Sequence, residues 1–154
     1  MKGLKTKDIS VKAKQGQYGI VFTSWNPSIV QDLLKETKKE LISQGVDEAN
    51  IYLKEVPGAF ELPLATLFMA EKEGILSVIS LGAIIRGDTP HFDFISSSCL
   101  EGLQEVSLKT RIPVICGVLT TNTIEQAEER SDPNKMNKGK EFALTALNMV
   151  DSLS

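Results

Sequence analysis

Few side chains in this sequence are suited to chemistry, and one run holds the most telling of them. His91 is the only histidine, in Gly82-Ala83-Ile84-Ile85-Arg86-Gly87-Asp88-Thr89-Pro90-His91-Phe92-Asp93. Thr89-Pro90 reads as an N-cap followed by proline at the first helical position, which puts His91 in a helix's first turn. An imidazole there is a side chain able to accept or donate a proton. Free amides around Gly87, Asp88 and Thr89 could hold a phosphate beside it, with Gly87 letting the backbone approach closely.

The remaining reactive or ligand-binding types are dispersed. Trp25, the only tryptophan, offers a face for stacking on a planar heterocycle. Glu61, after Gly58-Ala59-Phe60, can accept hydrogen bonds from a polyol. Arg130 can grip a phosphate bidentately, and Lys138 can donate to a carbonyl. Each has a plainer reading: Trp25 anchors its loop, Asn26 caps a helix, Glu61 complements its own helix dipole, and Arg130 and Lys138 serve helix-end carbonyls or solvent.

These residues need a scaffold, and the pattern of apolar runs supplies one. Strand-like segments at Tyr18 to Phe22, Ile51 to Val56, Val78 to Ile85 and Val114 to Leu119 alternate with amphipathic ones, the signature of a parallel sheet covered by helices. Asn26-Pro27 opens a helix with apolar residues Ile29, Val30, Leu33, Leu34, Leu41 and Ile42, which Gly45 ends. Further helices are expected from about Glu61 to Glu73, stopped by Gly74, and from Pro90 to about Thr110. Thr123-Ile124-Glu125-Gln126 has the form of a capping box for a short helix to Arg130, and Lys138 to about Ser152 forms the last one. Ser131 to Met136 is an irregular turn, and Lys5 to Val11 is either an edge strand or an arm that pairs with another subunit.

Right-handed crossovers give an α/β three-layer sandwich, flavodoxin-like, with a four-stranded parallel sheet in the order 2-1-3-4. The loops Ser24 to Pro27, Gly58 to Glu61, Ala83 to His91 and Thr120 to Thr123 then converge on one rim at the carboxyl ends of the strands. The 154 residues fit a single domain, 1–154, of which 1–14 form the arm or edge strand. A net charge of −3 gives no electrostatic footprint for nucleic acid or an anionic membrane. Cys99 and Cys116 lack the spacing of a zinc or redox motif and read as small core residues. With no apolar stretch of about 18 residues and no apolar segment in Met1 to Lys14, a cytoplasmic location is expected. A Walker loop, a Gly-x-Gly-x-x-Gly turn and a nucleophile elbow are all missing. The first strand ends Phe22-Thr23-Ser24-Trp25, without the acidic pair of a response regulator.

Trp25-Asn26, Val56-Pro57-Gly58-Ala59-Phe60-Glu61-Leu62-Pro63, the run Gly82 to Asp93, Gly117-Val118-Leu119-Thr120 and Asn137-Lys138-Gly139 closely resemble the 6,7-dimethyl-8-ribityllumazine synthases, in order over about Tyr18 to Val150. The resemblance implies condensation of 5-amino-6-(D-ribitylamino)uracil with 3,4-dihydroxy-2-butanone 4-phosphate, the penultimate step of riboflavin synthesis, with neither metal nor organic cofactor. It implies that Trp25 stacks on the pyrimidine, assisted by Asn26, and that Ala59, Phe60 and Glu61 hold the ribityl chain. Ala83, Ile84 and Ile85 would present backbone groups to the pyrimidinedione and Lys138 would reach its carbonyl. Asp88 and Thr89 would bind phosphate opposite Arg130, and His91 would transfer protons.

It also implies a site shared between subunits of a homopentamer, with an icosahedral shell of pentamers suggested by the Arg130 to Lys138 spacing. Contact with riboflavin synthase belongs to the same set of implied partners. Three positions depart from the family's usual pattern. Ser24 stands where many members have arginine, Cys116 where many have phenylalanine and so a smaller wall against substrate, and Asp88 puts a carboxylate beside the phosphate. Two other readings share the fold: an archaeal-type riboflavin synthase, and a flavin-binding or shell protein without activity. The Arg130 and Asp88-Thr89 phosphate pair weighs against the first, and the set His91, Arg130 and Lys138 against the second.

Overall fold

Alternation of apolar side chains along the strands decides the layering. In the computed structural model, which describes residues 8–154, the strands are β1 (Gln17–Thr23), β2 (Ile51–Val56), β3 (Ile75–Ile85) and β4 (Val114–Thr121). They form one parallel sheet in the order β2-β1-β3-β4, as the crossover argument predicts. Ile20 and Phe22 of β1, with Ile79, Leu81 and Ala83 of β3, face a core closed by α1 (Val11–Lys14), α2 (Pro27–Ser43), α5 (Ile124–Ser131) and α6 (Lys138–Ser152). Val21, Val78, Ile84 and Val118 point the other way, into a core closed by α3 (Leu62–Ala70) and α4 (His91–Thr110). A three-layer sandwich results.

The strands do not end level. Pairing between β1 and β3 stops at Phe22 with Leu81, while β3 continues beside β4 to Ile85 with Thr121. Gly82 to Ile85 therefore project past β1, and the Asn26 amide fills one vacated position by donating to the Ala83 carbonyl at 3.1 Å.

Several local expectations are corrected. Asn26 does not cap α2 with its side chain; it sits in the left-handed region at φ 55° and spends its amide on Ala83. The segment from Glu61 splits into a 3-10 turn, Ala59–Glu61, and a helix that ends at Ala70, short of Glu73. Thr123 caps α5 by accepting from the Gln126 amide at 3.2 Å, but Gln126 returns its side chain to the Asn122 amide rather than to Thr123. Ile42 is exposed on α2 rather than turned to the core. Cys99 is buried, whereas Cys116 is exposed, because β4 is a sheet edge.

Of the arm Lys5 to Val11, residues 5–7 lie outside the described part. Residues 8–10 form no strand, and Val11 opens α1. Ser10 caps that helix by accepting from the Ala13 amide at 3.1 Å, and its own amide donates to the Asp151 carboxylate at 3.1 Å, tying the segment to α6.

Candidate active site

Three of the four loops meet at a cleft of about 510 Å3 at the carboxyl ends of the strands. The first loop is hung on the second: the Ser24 amide donates to the Val56 carbonyl at 2.8 Å and the Trp25 amide to the Pro57 carbonyl at 3.3 Å. The Trp25 ring lies so close to Gly58 that a Cβ there would stand 3.4 Å from it. Trp25 remains 67% exposed and Phe60 65%, a large apolar area to leave in water beside a cleft.

Glu61 lines the cleft, and one of its carboxylate oxygens accepts from the Gly58 amide at 3.1 Å. Its carboxylate thus secures its own turn while facing the cleft. Asn26, Ala59, Ala83, Ile84 and Ile85 complete this side.

Across from them the loop after β3 carries Gly87, Thr89 and His91 onto the wall. The predicted cap is displaced by one residue: α4 begins at His91 itself, with Pro90 in the cap position and its carbonyl accepting from the Asp93 amide at 3.0 Å. Proline suits this position because its missing N–H would have no helical partner. Thr89 Oγ1 meets the His91 amide only at 3.5 Å, leaving the first amides of a 20-residue helix at the mouth of the cleft.

Arg130, Lys138 and Cys116 are elsewhere. They share a groove of about 270 Å3 between β4 and α6 with Val118, Leu119, Thr120, Glu141, Phe142 and Thr145. Lys138 Nζ donates to Glu141 Oε2 at 2.7 Å, and Arg130 Nη1 to the Gln126 carbonyl at 3.0 Å. No residue lines both depressions, so one chain does not bring Arg130 to His91. The expected single rim is corrected accordingly, for Thr120 faces the groove, and this loop meets the one after β3 through Arg86, whose amide donates to the Thr121 carbonyl and whose Nε donates to Asn122 Oδ1, both at 2.9 Å. Asp88 is exposed in the loop but is not part of the cleft wall.

The cleft also includes Thr23, Phe92 and Ile95, none of which bears a charge or a titratable group that would mark it in the sequence. Ile95 was within reach of sequence reasoning, since it lies four residues after His91 on the same helical face. Among the described residues no group of three or more His, Cys, Asp or Glu is placed to hold a metal, and no helix is long and apolar enough to cross a membrane.

The family model for 6,7-dimethyl-8-ribityllumazine synthase matches residues 15–154. That span takes in every strand, both walls of the cleft and the β4–α6 groove. The chain therefore belongs to the 6,7-dimethyl-8-ribityllumazine synthase family of riboflavin biosynthesis.

Proposed function

We propose that this protein condenses 5-amino-6-(D-ribitylamino)uracil with 3,4-dihydroxy-2-butanone 4-phosphate to give 6,7-dimethyl-8-ribityllumazine, phosphate and water. The observation that carries the reading is that Trp25, Phe60, Glu61, the end of β3 and His91 surround one cleft. Trp25 stacks on the pyrimidine, the projecting backbone from Ala83 to Ile85 reads its polar edge, and the turn Ala59–Glu61 takes the ribityl hydroxyls. Thr89, Asp88 through its backbone amide, and the first amides of α4 hold the phosphate.

The 5-amino nitrogen attacks the butanone carbonyl and water leaves as the imine forms. Loss of a proton from the adjacent carbon expels phosphate, and the resulting enol takes up a proton to give the second carbonyl. The ribitylamine nitrogen then attacks that carbonyl, and a second water leaves as the ring closes. His91, beside the phosphate end, relays these protons, while holding two flexible substrates together supplies much of the acceleration.

Arg130, Lys138 and Cys116 complete the site from a neighbouring copy. Their separation from the cleft within one chain supports a site shared between subunits. The assembly we propose is a cytoplasmic homo-oligomer built from pentamers. Mixing purified protein with both substrates should yield lumazine fluorescence with stoichiometric phosphate release, and lumazine alone should yield no riboflavin. No product from the pair would refute the reading, and riboflavin from lumazine alone would make the protein a riboflavin synthase instead.

A further inference from the structure

The segment from Arg86 to His91 is exposed throughout, and a Cβ at Gly87 would meet nothing within 4 Å. It carries His91 yet has little packing of its own. Arg86 is the exception. Its amide donates to the Thr121 carbonyl at 2.9 Å, continuing the β3–β4 ladder by one step. Its Nε donates to Asn122 Oδ1 at 2.9 Å, its Nη1 lies 3.4 Å from the Asp93 carboxylate, and its guanidinium lies 4.3 Å from the centre of the Phe92 ring.

One planar fork thus joins the loop after β4 to the two residues that follow His91. Guanidinium suits the task because it stacks and donates in several directions at once, which an ammonium cannot do. Resting on the reading of the cleft given above, we propose that Arg86 is a positioning residue that fixes the first turn of α4 and thereby aims the His91 imidazole. Arg86 does not itself line the cleft.

The test is a pair of measurements on the assembled protein. Arg86→Met keeps an apolar stem over Phe92 and removes the fork. It should lower kcat about tenfold with KM for the uracil within about twofold, because misaimed groups cost rate more than binding. In a His91→Ala background the same substitution should change kcat by less than about twofold, since its effect passes through the imidazole. Hydrogen exchange should rise in peptides covering residues 86–95 and stay unchanged in β1 and α2, and Arg86→Lys should restore only part of the rate.

Equal loss in both backgrounds, or unchanged exchange in residues 86–95, would overturn the role of Arg86. A wild-type protein that forms no lumazine would overturn the reading of the cleft instead, and that is known before any variant is compared.

Discussion

His91 stands at the first residue of a long helix, exposed at the mouth of a cleft, and the proposed reaction gives it the proton transfers. His91→Ala should slow steady-state turnover by about 10²-fold or more and leave measurable activity, because a positioned proton donor is only part of the acceleration. Arg130→Ala should cost more and raise KM for the phosphate ester, since the phosphate loses its charge partner. A His91→Ala variant with the wild-type rate would remove His91 from the chemistry. Cys99 is a different case. Burial pushes its thiol from 9.0 up to about 12, and the Cys116 thiol adds to the effect. The unfolded chain therefore ionises this thiol first, so its contribution to stability is intact below about pH 9 and lost as pH rises toward about 12. Urea midpoints should fall across that window, and less steeply in Cys99→Ala. Residue types were legible in the sequence because Trp25, Glu61 and His91 each adjoin a strand end. That Arg130 and Lys138 face a different depression was not, because spacing along the chain does not say on which side of β4 a helix opens.

At the scale of elements, one glycine decides how closely α6 approaches α2. A Cβ on Gly139 would stand 2.6 Å from the Leu33 carbonyl oxygen, and Thr37 Oγ1 donates to the Gly139 carbonyl at 3.0 Å. Gly139→Ala should therefore destabilise the fold by about 1–3 kcal/mol, as overpacking does. It should also weaken activity by displacing Lys138, the preceding residue. A thermal melt and kinetics on the same preparation would check both, and an unchanged melt would mean that the two helices can part without cost. The strands and the longer helices follow from apolar periodicity and capping residues, and the sheet order from the handedness of the crossovers. What escaped lay at element ends, where competing partners decide. Asn26 does stand at the cap of α2, its carbonyl accepting from the Val30 amide at 3.1 Å, but its side chain makes no cap bond and donates instead to the Ala83 carbonyl. Pro90 displaced Thr89 as cap, and α3 stopped at Ala70, where the apolar run gives way to Glu71-Lys72-Glu73, rather than running on to Gly74.

For the whole molecule, two separate depressions agree with the proposal that the site is shared between neighbouring copies. If cleft and groove come from adjacent copies, co-assembling His91→Ala with Arg130→Ala in equal amounts should restore about a quarter of wild-type activity, the chance that an intact cleft meets an intact groove in a randomly mixed ring. Mixed particles no more active than the two variants measured apart would place both half-sites in one subunit. Residue types alone do not reveal this division, since a motif lists groups without saying which copy presents them to which; only the family resemblance implies it. The projecting end of β3 has a further effect, on inheritance. On the proposed reading, a heterocycle along Gly82 to Ile85 would be recognised by amides and carbonyls that the backbone supplies whatever the side chain. Substitutions at Ile84 or Ile85 can alter the fit of the wall without rewriting the pattern of donors and acceptors. Ligand identity is thus buffered against mutational drift there, and sequence change at this shelf is free to tune affinity while the molecule being recognised stays the same.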